Sequence, residues 1–407
     1  MKNTVCIIGG GASGIMASVV AAIHGAKVFI LEHTDRIGKK ILLTGNGKCN
    51  LTNLDMAVSK YHTSGDLSFV EAVLNTFSEK DLISFMEQMG MRLLVNRESY
   101  VYPESEAAAT VVNVLRRMVQ TLDITVHTQA DIKEIIYRSN TYTIQTSKGI
   151  FQADRLILAC GGNSYPKTGS DGSIYPFLKK MNIAMVPQYP ALTAMKSDKQ
   201  GIKAISGLRA NAKVTLLINS KETVSDFGQV QFTDYGISGI PVFQISTVAS
   251  IALTKGEKVC VKVNLFPHMQ QQDVFTLLYN QLKQFKALSA EDAMQGFLHK
   301  KWIDYLVSKF HLHRFKCAQD INIDIINNIA SELTAMEYEI TAVKGFDFCQ
   351  VTGGGVALDQ IDAHMQCISY PGLYIVGELL DVTGQCGGYN LQWAFSTGYI
   401  AGLHAAK

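Results

Sequence analysis

Residues 9 to 14, Gly9-Gly10-Gly11-Ala12-Ser13-Gly14, are the first in the chain whose types and spacing carry a definite chemistry. An apolar run from Thr4 to Ile8 precedes them, an apolar stretch to His24 follows, and a second apolar run from Lys27 to Leu31 ends at Glu32. In a strand, turn, helix, strand context each glycine of this spacing has a mechanical task. Gly9 permits the tight turn, Gly11 lets the backbone approach a pyrophosphate, and Gly14 lets helix and strand pack closely. Ala12 and Ser13 open the helix, whose unpaired N–H groups face the anion. Glu32 is placed to accept hydrogen bonds from ribose hydroxyls, which argues for an adenosine without a 2′-phosphate.

The fingerprint alone does not separate NAD from FAD, and two further segments decide. Ala153 to Ala159 reads as a strand ending in Cys160-Gly161-Gly162, where the backbone of Gly161 and Gly162 again offers close approach to a dinucleotide. Near the end, Gly372 to Val376 reads as a strand running into Gly377 and Glu378, and Gly384 to Gln392 opens a final helix. A carboxylate at Glu378 suits the ribitol hydroxyls of a flavin. The helix start at Gly388, Tyr389, Asn390 and Leu391 suits its electron-rich pyrimidine edge and would stabilise the charge of the reduced ring. FAD is therefore the expected cofactor.

Between these segments, 36–53 combines Arg36, Lys39, Lys40 and Lys48 with Gly45, Gly47, Cys49, Asn50, Thr52 and Asn53. Cations, free backbone N–H groups and neutral hydrogen-bonding side chains together make a cofactor-gripping loop, with Lys39, Lys40, Gly47, Cys49 and Asn50 as contacts. Tyr165 to Asp171 carries one proline, a turn glycine and hydroxyls after a strand, the composition of a rigid active-site wall. Gly353-Gly354-Gly355 lacks a following helix, so close approach to the flavin ring is expected there rather than a second phosphate site. No second strand–GxGxxG–helix occurs, so NAD(P)H, if it is the electron donor, docks over the ring transiently. Cys49, Tyr165 and Cys386 are the candidates for proton transfer. Cys386 precedes a helix start, a setting that lowers a thiol pKa.

These motifs resemble the bacterial flavoprotein family that includes aminoacetone oxidase-like proteins, a bile-acid enone reductase and ribosomal-RNA dihydrouridine synthases. The resemblance rests on Gly9 to Gly14 with Glu32, Arg36 to Asn53, Gly161 to Gly172, Phe232 to Gly239, and Thr352 to Val356 with the terminal helix. It implies FAD binding and hydride chemistry on substrates that differ between members: a small molecule or ribosomal RNA.

The elements that position these residues imply an α/β fold. The resemblance further implies a two-dinucleotide-binding-domain, glutathione-reductase-like flavoprotein with a Rossmann-type FAD domain, split by an inserted β-rich plus helical part. The expected division is 1–190 and 345–407 for the FAD domain, 191–270 for an inserted β-rich domain, and 271–344 for an inserted helical domain. The insertion has 17 Lys plus Arg against 14 Asp plus Glu, a balance of +3. Within it, Gly296 to Lys316 sets Lys300, Lys301, Lys309, Arg314 and Lys316 against Asp304 alone, interleaved with Trp302, Tyr305, Phe310 and Phe315. That mixture fits phosphate contacts with base stacking, or an amphipathic helix with aromatics in the core and lysines in water; the second is favoured.

With 407 residues, 47% apolar or aromatic and 18% charged, the chain buries a large core, and disorder and small disulfide scaffolds are excluded. Lys plus Arg of 37 against Asp plus Glu of 35 leaves +2, too little for global attraction to polyanions or membranes. Eight dispersed cysteines without a CxxC, and histidines without ligand spacing, give no metal site and fit a reducing cytoplasm. Ile240 to Leu253, the longest apolar stretch, is broken by polar residues and reads as core, so no membrane span is expected. The oligomeric state is not legible.

The reading is an FAD-dependent oxidoreductase moving hydride between flavin N5 and a substrate carbon, most directly in NAD(P)H-driven reduction of an activated C=C bond in a 23S rRNA uridine or an enone. Amine oxidation with O2, and an RNA-binding protein with structural FAD, are the alternatives.

Overall fold

The computed structural model describes residues 3–96 and 99–407. Contacts divide them into two units, 3–189 (excepting 97 and 98) with 350–407, and 190–349.

The first unit is built on a parallel sheet ordered Leu373–Ile375, Arg155–Leu158, Thr4–Ile8, Lys27–Leu31 and Thr125–His127. Its central strand pairs on both sides, Ile7 opposite Ile30 and Ile157, and Val5, Cys6 and Ile7 are fully buried. Burial on both faces is why these strands read as continuous apolar runs rather than alternating ones. Parallel neighbours need a crossover, and the helix Ala12–Ile23 supplies it between the first two strands. All five strands run the same way, so their C-terminal ends present the loops after Ile8, Leu158 and Ile375 along one edge, where doubly wound sheets bind ligands.

The helix Ala12–Ile23 is buried along most of its length because the C-terminal helix Tyr389–Ala405 lies against it at backbone distance. A Cβ on Gly398 would stand 2.4 Å from the Ser13 carbonyl oxygen, and one on Gly402 would stand 2.5 Å from that of Ala17. Glycines four apart share one helix face, so this spacing lets two backbones meet.

The second unit carries an antiparallel sheet ordered Met336–Glu339, Val259–Asn264, Arg209–Ile218, Lys221–Phe232, Gly236–Ser238, Met195–Lys196 and Ala342–Val343. Its strands alternate: along Val259–Asn264, Val259, Val261 and Val263 are buried. The helices Gln271–Gln284, Lys300–Lys309 and Ile323–Thr334 fill the same core through Val274, Leu278, Trp302, Leu306, Ile329 and Leu333. The structure thus departs from the expected separation at 270/271. Met336–Glu339 and Ala342–Val343 return to the sheet after the helices, and 191–270 and 271–344 share one core. The stretch Ile240–Thr254 is a helix with one side in that core, and no described helix is long and apolar enough to cross a membrane.

Candidate functional site

At the C-terminal edge of the parallel sheet the glycine turn has the geometry its spacing implies. Gly9 has φ +102°, and a Cβ there would lie 2.4 Å from the Ala159 carbonyl oxygen. A Cβ on Gly14 would lie 1.9 Å from the oxygen of Gly9, so this residue sets how closely helix and strand pack. Gly11 differs: a Cβ there would meet nothing within 4 Å. Packing does not require glycine at that position, and the open space in front of it fits a ligand backbone passing close by. The helix start at Gly11 has no side-chain cap, and Ala12 and Ser13 form its buried first turn. Glu32 is buried, its two carboxylate oxygens accepting hydrogen bonds from the N–H groups of Gly10 (2.8 Å) and Thr34 (2.7 Å). It ties the glycine turn to the end of the second strand and retains lone pairs for a ribose.

The middle of the edge is organised by Glu378. One of its oxygens accepts from Ser164 Oγ (2.6 Å) and the Thr352 N–H (2.8 Å); the other accepts from Lys40 Nζ at 2.6 Å. Lys40 also donates to Ser164 and, at 3.4 Å, to Ser170. Gly162 lets this cluster close, since a Cβ there would stand 2.4 Å from Thr352 Oγ1 and 3.0 Å from Glu378 Oε1. Gly161 adopts φ +72°, with Ser170 Oγ 2.9 Å from where its Cβ would be. Lys40, Gly162 and Glu378 therefore meet, joining loops that are far apart in sequence. Lys39 does not join them; it pairs with Asp35 at the surface, 2.8 Å away. Ser164 and Thr352 are the partners that the residue-by-residue reading missed.

At the far end, the C-terminal helix starts on Gly387 and Gly388, at φ +118° and +97°. A Cβ on Gly388 would lie 2.5 Å from the Thr52 carbonyl carbon, so the helix start sits directly on the 50–53 loop. Thr52 Oγ1 donates to Gln392 Oε1 at 2.6 Å, Gln392 Nε2 donates to the Phe77 carbonyl and Ser396, and Asn53 Nδ2 donates to the Gly387 carbonyl. Asn390 closes its own turn by bonding both the N–H and the carbonyl of Gly384. Tyr389 donates to the Asp55 carbonyl. The helix start, with Leu391 in its first turn, has no side-chain cap. Gly377, at φ +69°, packs against Ser13, and its carbonyl accepts from Trp393 Nε1. Gly47, at φ +85°, again faces open space.

One buried acceptor in this region, Asn50 Oδ1, has no hydrogen-bond partner among the described residues. An unmet buried polar atom costs about 1–3 kcal/mol. A hydroxyl- or N–H-bearing group of a bound dinucleotide would satisfy it. Open space at Gly11, two uncapped helix starts and this acceptor all fit FAD.

The proton-transfer candidates fall in different settings. Cys49 is fully buried at φ +60°, and burial pushes its thiol up to about 12, so it holds its proton at neutral pH. Cys386 is buried and donates to Gln350 Oε1 at 3.6 Å. Tyr165 is half-buried in a left-handed turn at φ +52°. A fourth group was missed. Tyr189 sits with its ring over Gly353, where a Cβ would come within 2.2 Å of Cε2, so the glycine-rich strand Val351–Val356 makes room for it. Burial, then the neighbouring Asp381 carboxylate, push its phenol up to about 12. Asp381 is itself buried and accepts from Ser64 N–H, Ser64 Oγ and Thr63 Oγ1. Its position beside a domain boundary in the sequence hid Tyr189; the Gly353 contact that marks it is a tertiary one.

In the second unit the basic stretch is largely satisfied internally. Trp302 and Tyr305 are buried. Lys300 pairs with Glu291 (2.8 Å) and Asp304 (2.9 Å), which hold its ammonium above its ordinary range. Lys301 donates to the Ser206 carbonyl. Glu332 binds Lys309, Lys199 and the Tyr305 hydroxyl. Burial alone would raise the Glu332 carboxyl, but those bonds outweigh it and hold it below its ordinary value. No group of three or more His, Cys, Asp or Glu among the described residues is arranged to hold a metal ion.

Comparison with known proteins follows this geometry. A family profile described as the HI0933-like protein Rossmann domain matches residues 3–404. The chain is 38% identical over 412 residues to the 3-dehydro-bile acid delta(4,6)-reductase of Clostridium scindens, covering 100% of this chain and 99% of that protein. It is 27% identical to the ribosomal RNA dihydrouridine synthase of Haemophilus influenzae, over 98% of each chain. Among solved structures, the 3-ketosteroid-delta4-(5alpha)-dehydrogenase of Rhodococcus jostii RHA1 shares the fold at 13% identity, with a TM-score of 0.51, covering 99% of this chain and 96% of that one.

Proposed function

The chain belongs to the HI0933-like Rossmann-domain family of FAD-dependent oxidoreductases, and from that premise we propose that it reduces the conjugated C=C bond of a fused-ring enone with NAD(P)H as electron donor. The observation that carries the choice of substrate is full-length 38% identity to a bile-acid reductase, whose name describes a 3-dehydro compound reduced at the delta(4,6) positions. The inserted unit agrees with it. A surface that grips RNA needs a row of cations and aromatic faces available together, whereas Trp302 and Tyr305 are buried and Lys300 and Lys309 are ion-paired, which leaves the exposed Arg314, over the half-buried Phe315 ring, and Lys316.

FAD, when bound, supplies the hydride chemistry. The chain's own residues hold and polarise it. Gly11, Ala12 and Ser13 present N–H groups to the pyrophosphate, Glu32 meets the adenosine ribose, and Lys40, Glu378 and Asn50 bracket the ribitol. Gly388 to Leu391 aim a helix start at the pyrimidine edge, where positive potential favours the reduced, negatively charged ring. The proton that completes the reduction comes from the Tyr189 phenol, which burial first and the Asp381 carboxylate second push up to about 12, and which keeps a little exposed surface where Cys49 has none.

Mixing the anaerobically reduced protein with a steroid 4-en-3-one tests the reading. Reoxidation of the flavin with formation of the saturated ketone is the expected result. Reoxidation by a uridine-containing rRNA fragment but not by the enone would replace it with the RNA reading.

A further inference from the structure

In the first unit, the phenol of Tyr175 is a buried group that the contacts around Glu378 leave unused. Tyr175 opens the short helix Tyr175–Lys180. Its N–H donates to the Gly172 carbonyl at 3.0 Å, and the Gly172 N–H donates to the Gly162 carbonyl at 3.1 Å. The ring rests on the same residue: Gly172 has φ +74°, and a Cβ there would lie 2.9 Å from Tyr175 Cε2. Backbone and ring are therefore fixed beside Gly162, where Thr352 and Glu378 close on one another.

The hydroxyl has nothing comparable. Tyr175 Oη is buried and has no hydrogen-bond partner among the described residues. Burial first, then the Glu378 carboxylate and the Cys160 thiol, push the phenol well above its ordinary pKa, so it holds its proton and serves as a donor. Neither neighbour accepts that proton. The Glu378 oxygens accept from Ser164, Thr352 and Lys40, and the Cys160 thiol donates to the Ile8 carbonyl at 3.5 Å. A buried donor without an acceptor costs stability, and phenylalanine would fill the same space without that cost. Packing thus accounts for the ring and not for the hydroxyl.

The two neighbours indicate what kind of acceptor fits. Glu378 belongs to the cluster that suits the ribitol, while Cys160 stands at a strand end beside the glycine turn: a Cβ on Gly9 would lie 3.0 Å from Cys160 Cα. From a ribitol at the one to a pyrophosphate at the other, FAD carries a chain of hydroxyl and phosphate oxygens. We propose that Tyr175 is a cofactor-holding residue whose hydroxyl donates a hydrogen bond to an oxygen of the ribityl diphosphate of bound FAD. This deepens the proposed function, resting on its cofactor and not on its substrate.

The FAD-loaded full chain, as wild type and as Tyr175→Phe, provides the test. Release of flavin on serial dilution, read by the fluorescence of the free cofactor, gives the dissociation constant. Thermal unfolding is followed in excess FAD and after the flavin has been removed. Tyr175→Phe should bind FAD about tenfold more weakly, the loss of one hydrogen bond from a buried donor. Its melting temperature should fall below that of wild type in excess FAD, and should equal or exceed it without FAD, because the variant no longer buries an unpaired donor.

Equal dissociation constants overturn the proposal. So does a melting temperature lowered by the same margin with and without FAD, or a variant that does not fold, since the hydroxyl then serves the protein itself, through a buried water, rather than the cofactor. Wild type that binds no FAD would sink the cofactor reading as well. Tight wild-type binding that the substitution leaves unchanged would sink the Tyr175 assignment alone.

Discussion

The residue that organises the cofactor edge is Glu378, and its partners explain what the sequence could and could not disclose. The types at Gly9, Gly11, Gly14 and Glu32 are legible because strand, turn and helix follow one another within thirty residues, so spacing alone fixes the geometry. Lys40 and Glu378 are 338 residues apart, and Ser164 and Thr352 join them only after the sheet has formed. No local pattern encodes that meeting, which is why Lys39 and Lys40 read alike in the sequence although only Lys40 enters the cluster. Lys40→Ala leaves Glu378 without its counter-charge in a half-buried place, at a cost of about 1–3 kcal/mol. Equilibrium titration of the apoprotein with FAD should show roughly tenfold or weaker affinity, and an unchanged Kd would separate the cluster from the cofactor. Tyr189→Phe removes the proposed donor but keeps the ring that fills the space over Gly353. Flavin reoxidation by enone should slow by about a hundredfold, the lower range for a general acid. Flavin reduction should continue, so slowing of both half-reactions would point to a packing role instead.

At the scale of elements, the C-terminal helix couples the core to the site. Its first turn carries Gly388 to Leu391, its middle bonds Thr52 and Phe77 through Gln392, and its last turns lie against the first helix at Gly398 and Gly402. The composition announced a helix start, but Gly398-x-x-x-Gly402 gained its meaning only when the partner helix was in place. Gly402→Ala puts a methyl 2.5 Å from the Ala17 carbonyl oxygen, where relief requires a shift of backbone. Overpacking of this kind costs about 1–3 kcal/mol. Thermal unfolding should begin several degrees lower, with early flavin release because the displaced helix also carries the turn proposed to face the ring. A variant as stable as wild type would mean that the helices have slack. The inserted strands Met336–Glu339 and Ala342–Val343 were not legible because they are short and lie after a long helical stretch. They become strands by pairing with Val259–Asn264 and Met195–Lys196 rather than by local propensity.

At the scale of the whole molecule, a formal charge of +2 and a basic stretch in which Lys300 and Lys309 are ion-paired and Lys301 is bonded to a backbone carbonyl leave few free cations for a polyanion. Replacing Lys300, Lys301 and Arg314 together by alanine should change affinity for an rRNA fragment by less than about twofold, with a shallow salt dependence in both proteins. A severalfold loss would restore RNA as the substrate. The central claim is that this is a nicotinamide-fed FAD reductase, and anaerobic stopped-flow absorbance of the yellow protein tests it most directly, with NADH, NADPH and a primary aminoketone mixed in separately. Rapid bleaching of the flavin by one of the nicotinamides, followed by return of the yellow colour on adding the enone, is the expected course. Bleaching by the amine alone, or by none of the three, would contradict it.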